Sequence, residues 1–88
     1  MRMTYDPDAD AVYVKLTGLD TGFGETVVGE NGVIVDTDDL GAPRGFEFLF
    51  VSTHPIVLGG LPSNVAAALQ EFIGAGSLSS NTQVRSEY

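Results

Sequence analysis

Cysteine and tryptophan are missing altogether from these 88 residues. The first absence excludes disulfide staples, thiolate zinc sites and thiol catalysis, and nothing else points to an oxidising compartment. Histidine occurs once, at His54, which puts a two-histidine acid–base pair or a histidine-based metal cluster out of reach of one chain. Basic residues are scarce too: 4 Lys and Arg stand against 12 Asp and Glu, a net charge of −8. Such a chain repels a phosphate backbone, whose binding relies on counterion release to cationic side chains, so direct nucleic-acid binding is not expected. No run approaches the roughly 18 apolar residues of a membrane span. Met1-Arg2-Met3-Thr4-Tyr5-Asp6 has no apolar stretch behind its one basic residue, so no signal peptide is expected and a cytoplasmic location is the default reading.

What the chain does have is 43% hydrophobic residues, enough for one core. A domain this short buries only about 60 to 65% of its extended surface, which leaves oligomerisation open from the start. The first half reads as strands separated by Gly, Asp, Asn and Pro clusters, in the spacing of an antiparallel meander. Met3 to Tyr5 is a first short strand, broken by Asp6-Pro7-Asp8-Ala9-Asp10. In residues 11–16, Val12, Val14 and Leu16 share one face while Ala11, Tyr13 and Lys15 share the other, the alternation of a half-buried strand. Thr17 to Gly24 is a loop. Glu25 to Glu30 and Val33 to Thr37 are strands joined by Asn31-Gly32, a dipeptide suited to a two-residue hairpin turn. After the turn Asp38 to Pro43, Arg44 to Val51 is a strand that is apolar on both faces.

The second half changes character at His54-Pro55. Pro62 and Ser63 open a helix on which Val65, Leu69, Phe72 and Ile73 fall at i, i+4, i+7 and i+8, with Gly74 or Gly76 as a left-handed stop. Residues 1–76 are therefore expected to form one α+β domain, an antiparallel sheet of four or five strands with one C-terminal helix packed on it. Residues 77–88, small and polar, are expected to be a mobile tail.

The strands also carry a likeness. Thr4-Tyr5-Asp6-Pro7-Asp8-Ala9-Asp10-Ala11-Val12-Tyr13-Val14-Lys15-Leu16, then Gly32-Val33-Ile34-Val35-Asp36 and Gly45-Phe46-Glu47-Phe48-Leu49, resembles the small bacterial and phage domain of unknown function 2283, over about residues 3–51. The resemblance implies a compact antiparallel sheet with Tyr5, Asp6, Asp10, Tyr13, Asp36, Gly45 and Glu47 on the signature positions. It implies no activity and no cofactor. Phe46, Phe48 and Phe50 depart from it, standing where the family favours aliphatic residues, and the segment from His54 to Tyr88 lies outside the shared pattern.

The charged clusters are weighed against plainer roles. Asp6, Asp8 and Asp10 alternate like the opening of a calcium loop, but Ala11 stands where that loop needs glycine and Thr17 where it needs a bidentate Glu. A polar turn whose carboxylates bond backbone N–H groups is the better reading, with no metal. Asp36, Asp38, Asp39 and Glu47 form a second acidic group without an evident cleft, so no catalytic residue is assigned. Glu47 lies on a strand between Phe46 and Phe48, where an unpaired carboxylate is costly. A hydrogen bond from Tyr13 is its expected partner, with Arg44 and Lys15 in reserve. Gly59-Gly60 lacks the residues of a phosphate-binding turn.

No catalytic constellation is assembled and no cofactor is implied. The function expected is that of a non-enzymatic acidic interaction module, steered toward basic partners such as a basic toxin or a nucleic-acid-binding protein. Two alternatives stay open: a small-molecule binder or weak enzyme using Asp6, Asp10, Asp36 and Glu47, and a self-assembling structural protein. A homo-oligomer, most simply a two-fold dimer, is expected to bury whichever of the faces of Phe46, Phe48 and Phe50 or of Leu49 and Val51 the helix leaves open.

Overall fold

The structure, a computed structural model, describes residues 1–16, 22–29, 32–75 and 84–85. In chain order the elements are β1 (Arg2–Asp6), β2 (Ala11–Lys15), β3 (Phe23–Val28), β4 (Ile34–Asp38), β5 (Pro43–Leu49), β6 (Ile56–Val57), α1 (Ser63–Gly74) and β7 (Val84–Arg85). The fold is α+β. The first five strands make one antiparallel sheet in the order β1-β2-β5-β4-β3. This departs from a plain meander: the chain leaves β2, crosses to the far edge at β3 and winds back so that β5 lies beside β2. The core requires it. Phe46 and Phe48 of β5 and Val12 and Val14 of β2 are the large buried hydrophobic residues of the sheet, so these two strands stand inside it, while every residue of β3 is exposed at an edge.

The inner face of the sheet is covered by α1. Val12, Val14, Phe46 and Phe48 pack with Val65 and Leu69, and Met3, Tyr5, Leu16, Val33, Val35, Phe72 and Ile73 extend that core at its margin. Val65 and Leu69 are fully buried, as the i, i+4 spacing predicts. Pro62 caps the helix without a side-chain bond, its fixed φ already suited to a first turn. The C-cap is Ala75, in the right-handed region, with its N–H still bonded to the Glu71 carbonyl at 3.0 Å. The expected left-handed glycine stop is thus not at Gly74, the last helical residue; Gly76 lies outside the described residues.

Two turns differ from expectation. Gly29 N–H donates to the Val33 carbonyl at 2.7 Å, and Val28 faces Ile34. The β3–β4 pairing therefore reaches Gly29, where the strand was expected to run on to Glu30; residues 30–31 lie outside the described residues. Gly32 takes the left-handed φ of 75°, the positive φ expected of it in a hairpin turn; most of the expected loop from Thr17 also lies outside the described residues. The second difference is at the end of β5, which stops at Leu49. Phe50 has φ 56°, a left-handed conformation costly for a bulky residue. That reversal swings Phe50 into solvent and Val51 into the core, so the row Phe46, Phe48, Phe50 is broken, and Val51 shares the buried side rather than the face of Leu49.

Asp10 holds this corner from the other strand. It is itself left-handed, φ 54°, which aspartate tolerates better than most residues. Its carbonyl accepts from Val51 N–H at 3.1 Å, and its carboxylate accepts from the Ser52 hydroxyl at 2.6 Å and the Ser52 N–H at 3.2 Å. The segment expected to be a tail is also engaged: Val84–Arg85 pairs in parallel with Ile56–Val57, whose backbone groups offer it a free edge. The rest of that segment lies outside the described residues.

Asp10→Ala removes the acceptor and puts a β-carbon without compensation in a left-handed position. The expected loss is about 2 kcal/mol, read as a lower urea midpoint at unchanged m-value. A midpoint equal to that of the parent chain would show that the corner holds itself.

Candidate interaction face of the sheet

Strand alternation decides which residues face away from α1. Val14, Phe46 and Val35 point into the core, so the neighbouring positions point out, and the register arranges them in rows across the sheet. One row runs Arg2, Lys15, Gly45, Asp36, Thr26; the next runs Thr4, Tyr13, Glu47, Ile34, Val28; Asp6, Ala11 and Leu49 begin a third. Among the described residues no secondary-structure element lies over these rows.

Tyr13 organises the face. Its hydroxyl donates to Asp36 Oδ2 at 2.8 Å, although Asp36 belongs to β4 and a whole strand, β5, lies between them. Gly45 makes the crossing possible: a β-carbon there would collide with the Tyr13 hydroxyl and ring carbon Cζ. The ring thus covers a glycine in the middle of a strand, where backbone would otherwise be bare. Asp36 Oδ1 accepts a second bond, from Thr26 Oγ1 of β3 at 2.7 Å. The carboxylate ties β2, β4 and β3 together through their side chains.

Burial raises the pKa of Tyr13 to about 12, helped by the hydrogen bond to Asp36 and by the negative charges of Asp36 and Glu47; Arg44 opposes the rise. The proton stays on Tyr13, which acts as a donor and not as a base at neutral pH.

Two bulges finish the rim. The register of β4 with β5 shifts between Asp36 and Thr37, giving Arg44 as the extra residue, and that of β3 with β4 shifts between Phe23 and Thr26. Thr37 plugs the second bulge, its hydroxyl accepting from Glu25 N–H at 3.2 Å and donating to the Glu25 carbonyl at 3.1 Å. A bulge re-aims side chains that strict alternation would send elsewhere. Arg44 and Phe23 accordingly join Tyr13, Lys15, Leu16 and Asp36 around a shallow cleft of about 150 Å³.

Glu47 corrects the sequence reading. Tyr13 stands directly opposite it on β2, yet the phenol goes diagonally over Gly45 to Asp36. Glu47 is half-buried, and its carboxylate has no hydrogen bond or ion pair among the described residues. The side chains of Arg2, Lys15 and Arg44 likewise make none among the described residues.

Asp6 and Asp38 are engaged locally. Asp6 Oδ1 accepts from the N–H groups of Asp8 and Ala9 at 3.0 and 3.3 Å, the Asx turn expected there. Asp38, buried, accepts from Leu40 and Ala42 N–H at 2.9 and 2.8 Å and so holds its own turn. Among the described residues no three Asp, Glu or His side chains are placed to hold a metal. Phe46, Phe48 and Val51, offered by the sequence as interface residues, are in the core; Leu49 and Phe50 remain 38% and 58% exposed. Phe50 sits 5.9 Å from the His54 ring, beside an apolar cavity of about 280 Å³.

The signature positions therefore fall into distinct roles, with Tyr5 at the core margin, Asp6 and Asp10 at turns, Tyr13, Gly45 and Asp36 in one bonded unit, and Glu47 on the outer face without a partner among the described residues. The chain belongs to the family described as "Protein of unknown function (DUF2283)", whose model matches residues 2–52, more than half of it. Neither a curated protein nor a solved structure matches. No helix of the described residues is long and apolar enough to cross a membrane.

Spectrophotometric titration tests the Tyr13 unit. One of the 3 tyrosines is expected to ionise only near pH 12, and Tyr13→Phe should remove that late step. Gly45→Ala, which pushes the ring off Asp36, should move it back toward the ordinary value of 10. A raised folded-state pKa means that the stability it supplies is complete below pH 10 and is lost as pH climbs toward about 12. A parent chain whose tyrosines all ionise together near pH 10 would contradict the arrangement.

Proposed function

We propose that this chain is a non-enzymatic interaction module, working inside a bacterial or phage-infected cell through protein contacts made by the outer face of its sheet. One observation carries the reading: Glu47 is a half-buried carboxylate that, among the described residues, has neither a layer over its face nor a partner. A carboxylate is costly in that position unless a cation or donor meets it. The neighbours Tyr13, Ile34 and Leu49 would shield such a contact from water, where a charge-assisted hydrogen bond is stronger than on an open surface. The partner is one that offers a guanidinium or ammonium group, and the net charge of −8 favours its approach.

The dispersal of the acids supports binding over catalysis. Asp6 and Asp10 are engaged by their turns, and Asp36 already accepts two hydroxyl groups, so neither pair of carboxylates faces a common cavity. Tyr13 holds its proton too tightly to exchange it near neutrality.

Affinity capture compares the parent chain with Glu47→Arg. The parent is expected to retain a protein, whether a second copy of itself or another chain, in a salt-sensitive manner, and the variant to lose it. Retention that is identical for both chains would overturn the proposal.

A further inference from the structure

Three of the 4 basic residues in a chain with 12 acids gather at one end of the same open face. Arg2 stands directly across from Lys15, a like-charge pair that disfavours the sheet. Arg44 lines the cleft beside Lys15. Acids are three times as numerous, yet none forms an ion pair with these cations among the described residues, Asp36 in the same cleft being bonded to Tyr13 and Thr26 instead. One row away lies Glu47, equally without a partner among them. The face is bipolar, with cations in the row of Lys15 and Gly45 and the free carboxylate in the row of Tyr13 and Ile34.

We propose that the group meeting Glu47 is Arg44 of a second copy of this chain, in a two-fold dimer packed face to face. The inference rests on the reading of the outer face as a protein-binding surface and names its occupant. Consider a two-fold axis lying between the sheets, across the strands, between those two rows. Rotation about it sets each row of one copy over the other row of its mate, strand upon strand. Glu47 of β5 then faces Arg44 and Gly45 of the opposite β5, and the reciprocal pair forms by symmetry. The same operation brings Lys15 over the opposite Tyr13, and separates the two Glu47 carboxylates by one row instead of stacking them.

Sheets packed in this way lie about 10 Å apart, a gap that glutamate and arginine side chains span together. Gly45 adds no side chain where Glu47 must enter, and the bulge that aims Arg44 outward supplies the cation at that point. Ile34, Leu49, Val28 and Phe23 bring apolar surface to the contact, the last three being 38%, 74% and 60% exposed in the single chain. The one carboxylate left without a partner among the described residues of these two rows acquires a cation, twice over, through one operation. A partner of uniformly basic surface would serve Glu47 but oppose Arg2, Lys15 and Arg44.

Charge exchange tests this. Light scattering on the full chain at low salt should give twice the 9.3 kDa of one copy. Glu47→Arg alone and Arg44→Glu alone should each reduce the mass to one copy, because each sets like charges together twice over. The chain carrying both reversals should regain the doubled mass. Glu47→Gln, which keeps the side-chain shape, covers the case in which a reversal fails to fold; it should weaken association by about tenfold or more. A parent chain of single mass at tens of micromolar overturns the proposal, as does a doubled mass that neither reversal disturbs. Glu47-dependent capture of a different protein by a single-copy chain would overturn the dimer and leave the binding face standing. Loss of both contacts would remove both.

Discussion

A single phenol crossing a strand sets the terms for this sheet. Tyr13 reaches from β2 over β5 to bond Asp36 on β4, and it does so only because position 45 has no side chain. From that crossing follow the burial of Gly45, the raised tyrosine pKa and the second bond from Thr26. The liberation of Glu47 follows as well, since the donor opposite it is committed elsewhere. One contact thus couples β2 to β4 and β5, which are distant from it in sequence, the kind of non-local link that makes a register unique.

The same contact separates structure from function on the signature positions. Tyr13, Gly45 and Asp36 satisfy one another, and Asp6 and Asp10 satisfy backbone groups of their own corners. What remains unsatisfied among the described residues is Glu47 with the nearby cations, all on the face that the helix leaves open. The described residues supply one helix for two sheet faces. The inner face takes the helix because Phe46, Phe48, Val12 and Val14 fall there, and the outer face is left with a charged pattern instead of a greasy one. Such a pattern confers orientation and selectivity more than raw affinity, which suits a contact that two copies or two proteins must make in one register.

Much of the fold was legible from periodicity. The strands around Val12, Ile34 and Phe46 and the helix bearing Val65 and Leu69 stand within a few residues of expectation, because alternation and the i, i+4 spacing report burial directly. What escaped were features set by single backbone conformations. Phe50 continues an apolar alternation perfectly, and nothing local announces that it turns left-handed; the cause, Asp10 gripping Val51 and Ser52, lies some forty residues away in sequence. The hairpin of β3 and β4 and the positive φ of Gly32 follow from the Asn31-Gly32 dipeptide. Val84 and Arg85 find their partner only through the fold. At the site, the sequence singled out Glu47 and Tyr13 but joined them to each other. The signal that would have redirected Tyr13 was Gly45 itself, an isolated glycine inside a strand, which marks the close approach of another group. Arg44 and Phe23 could not be assigned to the outer face by alternation, since bulges put them there.

The central claim is that Tyr13 and Asp36 act as one unit across Gly45. A double-mutant cycle on Tyr13→Phe and Asp36→Asn, followed by urea unfolding, measures it directly. The two substitutions should couple by about 1 kcal/mol or more, within the range for residues sharing a hydrogen bond. Strictly additive losses would mean that the phenol and the carboxylate stand near each other without holding the sheet together.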